Sequence, residues 1–231
     1  MQDYSAYQAF AKEQLGIEFS DISLLVLAFT HRSYVNEHKK TAPEHNERLE
    51  FLGDAVLELV VTEYLYGNFG DPEGILTNWR SALVRTESIS AAAARHGFEP
   101  LLRLSRGEKR GTNRARAQIL ANSYEAVVGA IYLDKGYEAA KVFITESILS
   151  TFDQILKSGS WMDPKSHLQE MAQSRDGHTP VYKVLHEEGP DHDKTFTVGV
   201  FVGGDLRGQG IGPSKQHGQQ KAAEAALLHY K

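Results

Sequence analysis

Glu47, Glu50 and Asp54 fall in one short segment, Asn46-Glu47-Arg48-Leu49-Glu50-Phe51-Leu52-Gly53-Asp54-Ala55-Val56-Leu57. On a helix, Glu50 and Asp54 are spaced i, i+4, and Glu47 lies one turn earlier. The three carboxylates then share a face, with neighbouring Cβ atoms roughly 5–6 Å apart. Like charges at that spacing repel unless they are solvated, paired with a base such as Arg48, or bound to a hard cation. An oxygen-only donor set in a chain without cysteine points to magnesium or manganese rather than zinc. The plain structural alternative is a solvated acidic stripe.

Two neighbouring features weaken that alternative. Gly53 stands inside the helical pattern, where glycine costs about 1 kcal/mol relative to alanine, and such a glycine marks the close approach of another backbone. Phe51 and Leu52 place apolar surface beside the acids, so an interface is expected along the same helix.

The elements that must carry these residues are helical as far as about residue 156. Ile22, Leu25 and Phe29 recur at helical spacing, as do Leu49, Leu52, Val56, Leu59 and Val60. Turns are expected at Gly70–Gly74 and across Ser105–Asn113, and helices over Ala117–Leu133 and Tyr137–Leu156. Lys157-Ser158-Gly159-Ser160 is small and polar, and residues 157–162 read as a linker. From residue 163 to 231 the texture changes. A helix over His167–Ala172 precedes strands over Val181–Glu187, Thr195–Val202 and Leu206–Gly210, and an alanine-rich helix over Ser214–Tyr230 closes the chain.

Across its 231 residues the chain carries a formal net charge of −5 and no cysteine. Bulk charge therefore gives no attraction for nucleic acid, and such a ligand would need local basic patches or a metal site. Disulfides and cysteine-based zinc centres are excluded. The N-terminus lacks a basic leader, and no apolar run is long enough for a signal peptide or membrane span, so a cytoplasmic protein without membrane association is expected. A basic group, Arg103, Arg106, Lys109, Arg110, Arg114 and Arg116, gathers before the Ala117 helix and could neutralise phosphates.

The segment Asn46–Leu57 closely resembles the signature of the bacterial ribonuclease III family. Phe29-Thr30-His31-Arg32-Ser33-Tyr34, Gly74-Ile75-Leu76-Thr77 with Arg80–Val84, and Glu125–Asp134 resemble further stretches of it. Asp163–Glu170, Pro180-Val181-Tyr182 and Gly189–Phe196 resemble a double-stranded RNA-binding domain. The resemblance implies an all-α endonuclease domain over 1–156 and a small α+β (α-β-β-β-α) RNA-binding domain over 163–231.

By the same resemblance, Glu50, Asp54 and Glu125 bind Mg2+, with Mn2+ as a substitute, and Asp54 and Glu125 are catalytic. Asn122 stands at a ligand position that is normally aspartate. Asparagine keeps one carbonyl oxygen as a ligand but loses a unit of negative charge. Glu47 matches an accessory acidic position. Phe51 resembles a residue that plugs into a pocket of a partner subunit, and Phe51 and Gly53 are expected at a homodimer interface. His31 and Arg32 could approach RNA. Ser166, Gln169, Glu170, His192 and Lys215 match RNA-contacting positions. The usual Ser-Lys-Lys start of the last helix is here Ser214-Lys215-Gln216, with Gln219 at a later charged position, which implies weaker RNA binding.

The implied reaction is metal-dependent hydrolysis of duplex RNA to 5′-phosphate and 3′-hydroxyl ends, in rRNA and mRNA processing. The alternative is an RNA-binding protein that docks duplexes with little or no cleavage because of Asn122. A nucleotide phosphohydrolase is a third reading, opposed by the C-terminal pattern.

Overall fold

The computed structural model describes residues 3–39, 42–159, 161–190 and 194–230. It divides into two compact units, 1–157 and 158–231. The first is helical. Its elements are α1 (Ser5–Glu13), α2 (Ile22–Ala28), α3 (Arg32–Glu37), α4 (Glu47–Asn68), α5 (Glu73–Val84), α6 (Thr86–Arg95), α7 (Asn113–Lys135), α8 (Tyr137–Ser147) and α9 (Phe152–Ser158), with short 3-10 turns between some of them. No helix among the described residues is long and apolar enough to cross a membrane.

Local chemistry explains the boundaries. Asp21 caps α2 by accepting from the Ser23 amide, and Thr112 caps α7 by accepting from Ala115. α7 ends at Gly136, whose φ of 82° suits glycine. The start of α4 is fixed by Asn46, which is buried. Its side-chain amide donates to the Ala28 carbonyl at 3.0 Å and its backbone N–H to Thr30 at 2.9 Å. A buried polar side chain with its hydrogen bonds made ties the acidic helix to the end of α2.

α4 and α7 cross at two glycines. A Cβ on Gly53 would overlap the carbonyl oxygen of Glu125, and one on Gly129 would overlap that of Leu49. Around the crossing, Leu57, Val60 and Val61 of α4 and Val127, Val128 and Ile131 of α7 are buried. Phe10, Phe29, Phe98 and Tyr124 form a chain of aromatic contacts with centroids 5.0–6.2 Å apart.

α7 is longer than the sequence pattern predicts, and the single helix expected over Tyr137–Leu156 is interrupted at Leu149–Thr151. Arg95 Nη2 donates to the Ser147 carbonyl at 2.7 Å. In an unbroken helix that carbonyl would accept from the amide of residue 151. The start of α5 also overruns the expected turn, since Glu73 and Gly74 are already helical.

The second unit contains α10 (Pro164–Asp176), β1 (Val181–Glu188), β2 (Thr195–Val202), β3 (Asp205–Gly212) and α11 (Lys215–Leu227), followed by a 3-10 turn over Leu228–Tyr230. The sheet is antiparallel in the order β1-β2-β3. Its core joins Leu168 and Ala172 of α10, Val200 and Val202 of β2, Ala222, Ala223 and Ala226 of α11, and Tyr230. The small alanine face lets α11 lie directly over Gly208 and Gly210 of β3. α10 exceeds the expected His167–Ala172 because Asp163 caps it, proline opens it, and Gly177 (φ 71°) ends it. The α-β-β-β-α order is the one expected from the sequence.

Candidate active site

The crossing of α4 and α7 brings together Glu50 and Asp54 with Glu125 and Asn122. Burial, Asp54 and Glu50, in that order, push the Glu125 carboxyl up to about 8. Glu50 is raised too, by burial, Glu47 and Asp54, and is lowered in part by a hydrogen bond from Asn122. These shifts arise because negative charge is gathered in a partly desolvated place without a compensating base. Asp54 is exposed and completes the set from the next turn of α4.

No trio of His, Asp or Glu side chains among the described residues is drawn together as a bound cation would hold it. Carboxylates facing one another repel. Burial, Asp54 and Glu50 destabilise the Glu125 carboxylate, and carboxylate oxygens are the donors that hard divalent cations prefer.

Asn122 enters the site with an orientation the sequence does not reveal. Its Oδ1 accepts from Gln118 Nε2 at 2.7 Å. The carbonyl expected as a ligand oxygen thus points to Gln118. Glu47 borders this carboxylate group, and its charge helps to raise Glu50. It pairs with Arg32 at 3.2 Å and lies 3.7 Å from His45. Arg32 is engaged by that pair, and His31 caps α3 through Ser33.

Gly53, expected at a subunit interface, is buried within its own chain against Glu125 and Gly129. The absent side chain lets α7 approach and sets the spacing of the carboxylates. Phe51, in contrast, is 82 % exposed. It borders a groove of about 770 Å³ whose walls include Leu24, Leu27, Leu49, Leu52 and Leu133.

The basic group divides. Arg103 is structural: it donates to Thr30 Oγ1 at 3.0 Å and lies 4.4 Å from the Tyr34 ring centroid. Arg116 pairs with Glu99 at 2.6 Å. Arg106, Lys109, Arg110 and Arg114 are exposed on the loop and at the start of α7.

In the second unit, Ser166, Gln169 and Glu170 are exposed on one face of α10, opposite the buried Leu168. His192 lies outside the described residues. Lys215 stands at the start of α11, but its Nζ is 3.2 Å from Glu187 Oε1 and 5.5 Å from the Phe196 ring centroid. Gln219 accepts from Lys165 at 2.7 Å, and Lys221 pairs with Glu224 at 2.7 Å. The sequence reading missed Gln118, Gly129 and Glu187. For the first two a signal existed: Gln118 is one helical turn before Asn122, and Gly129 is a second glycine inside a helix. Nothing in the sequence pattern pointed to Glu187.

Comparison with known proteins agrees with this architecture. A family model described as Ribonuclease-III-like matches residues 21–152, and one described as Double-stranded RNA binding motif matches residues 164–230. Ribonuclease 3 of Enterococcus faecalis is 46 % identical over 217 residues, covering 94 % of this chain and 94 % of that protein. Ribonuclease 3 of Latilactobacillus sakei is 43 % identical over 225 residues, covering 95 % and 96 %. Among solved structures, a nuclease domain of ribonuclease III from Campylobacter jejuni, described as flexible in a region involved in dimer formation, aligns with a TM-score of 0.56 at 39 % identity, covering 62 % of this chain and 97 % of that one. The chain belongs to the ribonuclease III family, as a double-stranded-RNA endoribonuclease with a helical nuclease domain followed by a double-stranded RNA-binding domain.

Proposed function

We propose that this endoribonuclease hydrolyses phosphodiester bonds of duplex RNA with Mg2+, or Mn2+ in its place, held by Glu50, Asp54 and Glu125, leaving 5′-phosphate and 3′-hydroxyl ends. The observation that carries the reading is that Asp54 and Glu50 of α4 act on the Glu125 carboxyl of α7, which burial, Asp54 and Glu50 together raise to about 8. When bound, the metal would supply Lewis acidity and a nucleophilic water at neutral pH. The protein fixes the donor set, since Gly53 and Gly129 hold α4 and α7 at one separation. Asp54 and Glu125 face the reacting phosphate as the catalytic carboxylates. Glu47 is an accessory group at the edge of the site, held by Arg32.

The second unit would bring the substrate. Ser166, Gln169 and Glu170 of α10 form a polar face suited to 2′-hydroxyls in a minor groove, and the N-terminus of α11 with Lys215 is suited to phosphates. His192 is proposed for a second minor groove. The active form is a homodimer paired through Phe51, whose exposed ring beside an apolar groove leaves surface that a second copy would cover. Processing of rRNA and mRNA in the cytoplasm is the proposed setting. The experiment is incubation of the full chain with a long perfect RNA duplex, with magnesium or with EDTA, followed on a denaturing gel. Cleavage is expected only with magnesium and is expected to disappear in Glu125→Gln while duplex binding persists. Equal cutting in EDTA, or by Glu125→Gln, would overturn the assignment.

A further inference from the structure

Arg106, Lys109 and Arg110 are exposed on a short loop that is fastened to α3. The two segments run side by side just before the loop. Arg103 N–H donates to the Phe29 carbonyl at 2.9 Å, and His31 N–H to the Arg103 carbonyl at 3.1 Å. Ser105 then begins the loop. Its Oγ accepts from Glu108 N–H at 3.1 Å and its carbonyl from Lys109 N–H at 3.2 Å, which folds the loop into a 3-10 turn over Glu108–Arg110. The Ser105 N–H donates outward, to Ser33 Oγ of α3 at 3.1 Å. Ser33 Oγ lies 2.8 Å from His31 Nδ1, and Ser33 N–H donates to the same nitrogen at 3.3 Å. A backbone N–H can only donate, so Nδ1 carries a lone pair and the neutral ring keeps its hydrogen on Nε2. The 2.8 Å contact is then made by the Ser33 hydroxyl hydrogen, which leaves the Ser33 oxygen to accept from Ser105. The series runs in one direction, from Ser105 to Ser33 to His31.

We propose that neutral His31, acting through Ser33, is a positioning residue that latches this loop to α3 and so presents Arg106, Lys109 and Arg110 to phosphates of duplex RNA. In a chain of net charge −5, three cations on one turn are a local exception of the kind that phosphate contact requires. The loop leads directly into α7, the helix that carries Glu125. A second, longer tether runs from Arg106 N–H to Glu37 Oε2 at 3.4 Å. Burial is the largest influence on the His31 ring and disfavours its charged form. Glu108 of the loop and Glu47 of α4 favour the proton, Arg32 of α3 and His45 before α4 oppose it, and the ring stays below its ordinary value of 6.5. The latch is therefore made at neutral pH. Its use rests on duplex RNA as the ligand, whereas the hydrogen-bonded series is a property of the free chain.

The test uses the full chain with a short RNA duplex in EDTA, so that binding is read without cleavage and independently of the metal assignment. Ser33→Ala removes the link and should weaken binding on the order of fivefold, the worth of one hydrogen bond. A triple variant, Arg106→Gln with Lys109→Gln and Arg110→Gln, should weaken binding further and flatten the dependence of log affinity on log salt by about three units. In that triple variant Ser33→Ala should have no added effect, because the latch acts through the three cations. His31→Asn, whose Oδ1 offers an acceptor near the place of Nδ1, should bind as the parent does, and His31→Phe as Ser33→Ala does. NMR of the ring nitrogens, with the His31 signals identified by their loss in His31→Asn, should show the hydrogen on Nε2 at neutral pH. A hydrogen on Nδ1, or an effect of Ser33→Ala that is the same with and without the loop cations, would overturn the proposal. If the triple variant binds the duplex as the parent does, the loop is no phosphate contact and the proposal falls, while the cleavage reading is decided separately by the magnesium and EDTA gel.

Discussion

The main-chain carbonyl of Glu125 occupies the place where a side chain on Gly53 would begin. One residue thus sits both at the closest approach of α4 and α7 and in the carboxylate group. The reciprocal approach of Gly129 to Leu49 makes the crossing two-sided, so neither helix can slide without a clash. Gly53→Ala should therefore destabilise the folded chain by about 3 kcal/mol, the upper end of ordinary overpacking. It should also impair cleavage at magnesium levels that saturate the parent, since the carboxylates move apart with the helices. Urea unfolding and a magnesium titration of cleavage check this. A variant as stable and as active as the parent would show that the crossing is slack.

Glu125 should contribute to the pH dependence of metal-free stability with a definite sign. Burial with Asp54 and Glu50 raises its carboxyl to about 8, whereas in the unfolded chain it titrates near its ordinary value of 4.5. Between those values the folded state keeps a proton that the unfolded state has lost. Stability is then full below the unfolded value and declines as pH rises toward 8. Glu50, raised in the same direction, steepens the decline at the lower end of the window. In EDTA the melting temperature of the parent, taken relative to that of Glu125→Gln, should fall across this range, and magnesium should suppress the difference. A difference that climbs with pH, or is absent, would contradict the charge arrangement.

Phe51→Asp should yield a monomer by light scattering at micromolar concentration. The ring is 82 % exposed and contributes nothing to the buried core, so unfolding of the monomeric unit should change by roughly 0.5 kcal/mol or less. Retention of a full dimer would remove Phe51 from the pairing surface.

Glu187 pairs with the lysine proposed to face RNA phosphates. It lies 3.2 Å from Lys215 and 3.7 Å from Lys194. Exposed pairs of this kind hold about 0–1 kcal/mol, so Glu187→Gln should tighten duplex-RNA binding by a few-fold at most. Release of Lys215 should steepen the dependence of log affinity on log salt by about one unit. Lys215→Ala should act in the opposite direction. Gel-shift titrations at several salt concentrations decide it, and unchanged affinity and slope in Glu187→Gln would count against Lys215 as a phosphate contact.

Local pattern was enough to indicate the helical first unit, the α-β-β-β-α order of the second, and Glu50 and Asp54 on one helical face. Periodicity, caps and turn residues act over a few positions, and the segment Asn46–Leu57 carries its own spacing. The break after Ser147 escaped because it depends on Arg95, from a distant helix, taking a carbonyl out of the ladder. Gly53 was legible as a point of close approach, but the partner was not: only packing shows that the backbone beside it is that of Glu125 in the same chain. The same holds for charge. A sequence shows that Lys215 is basic. Whether it is paired depends on Glu187, brought within reach by the tertiary fold, because an ion pair is decided by distances of a few ångströms that spacing along the chain does not set.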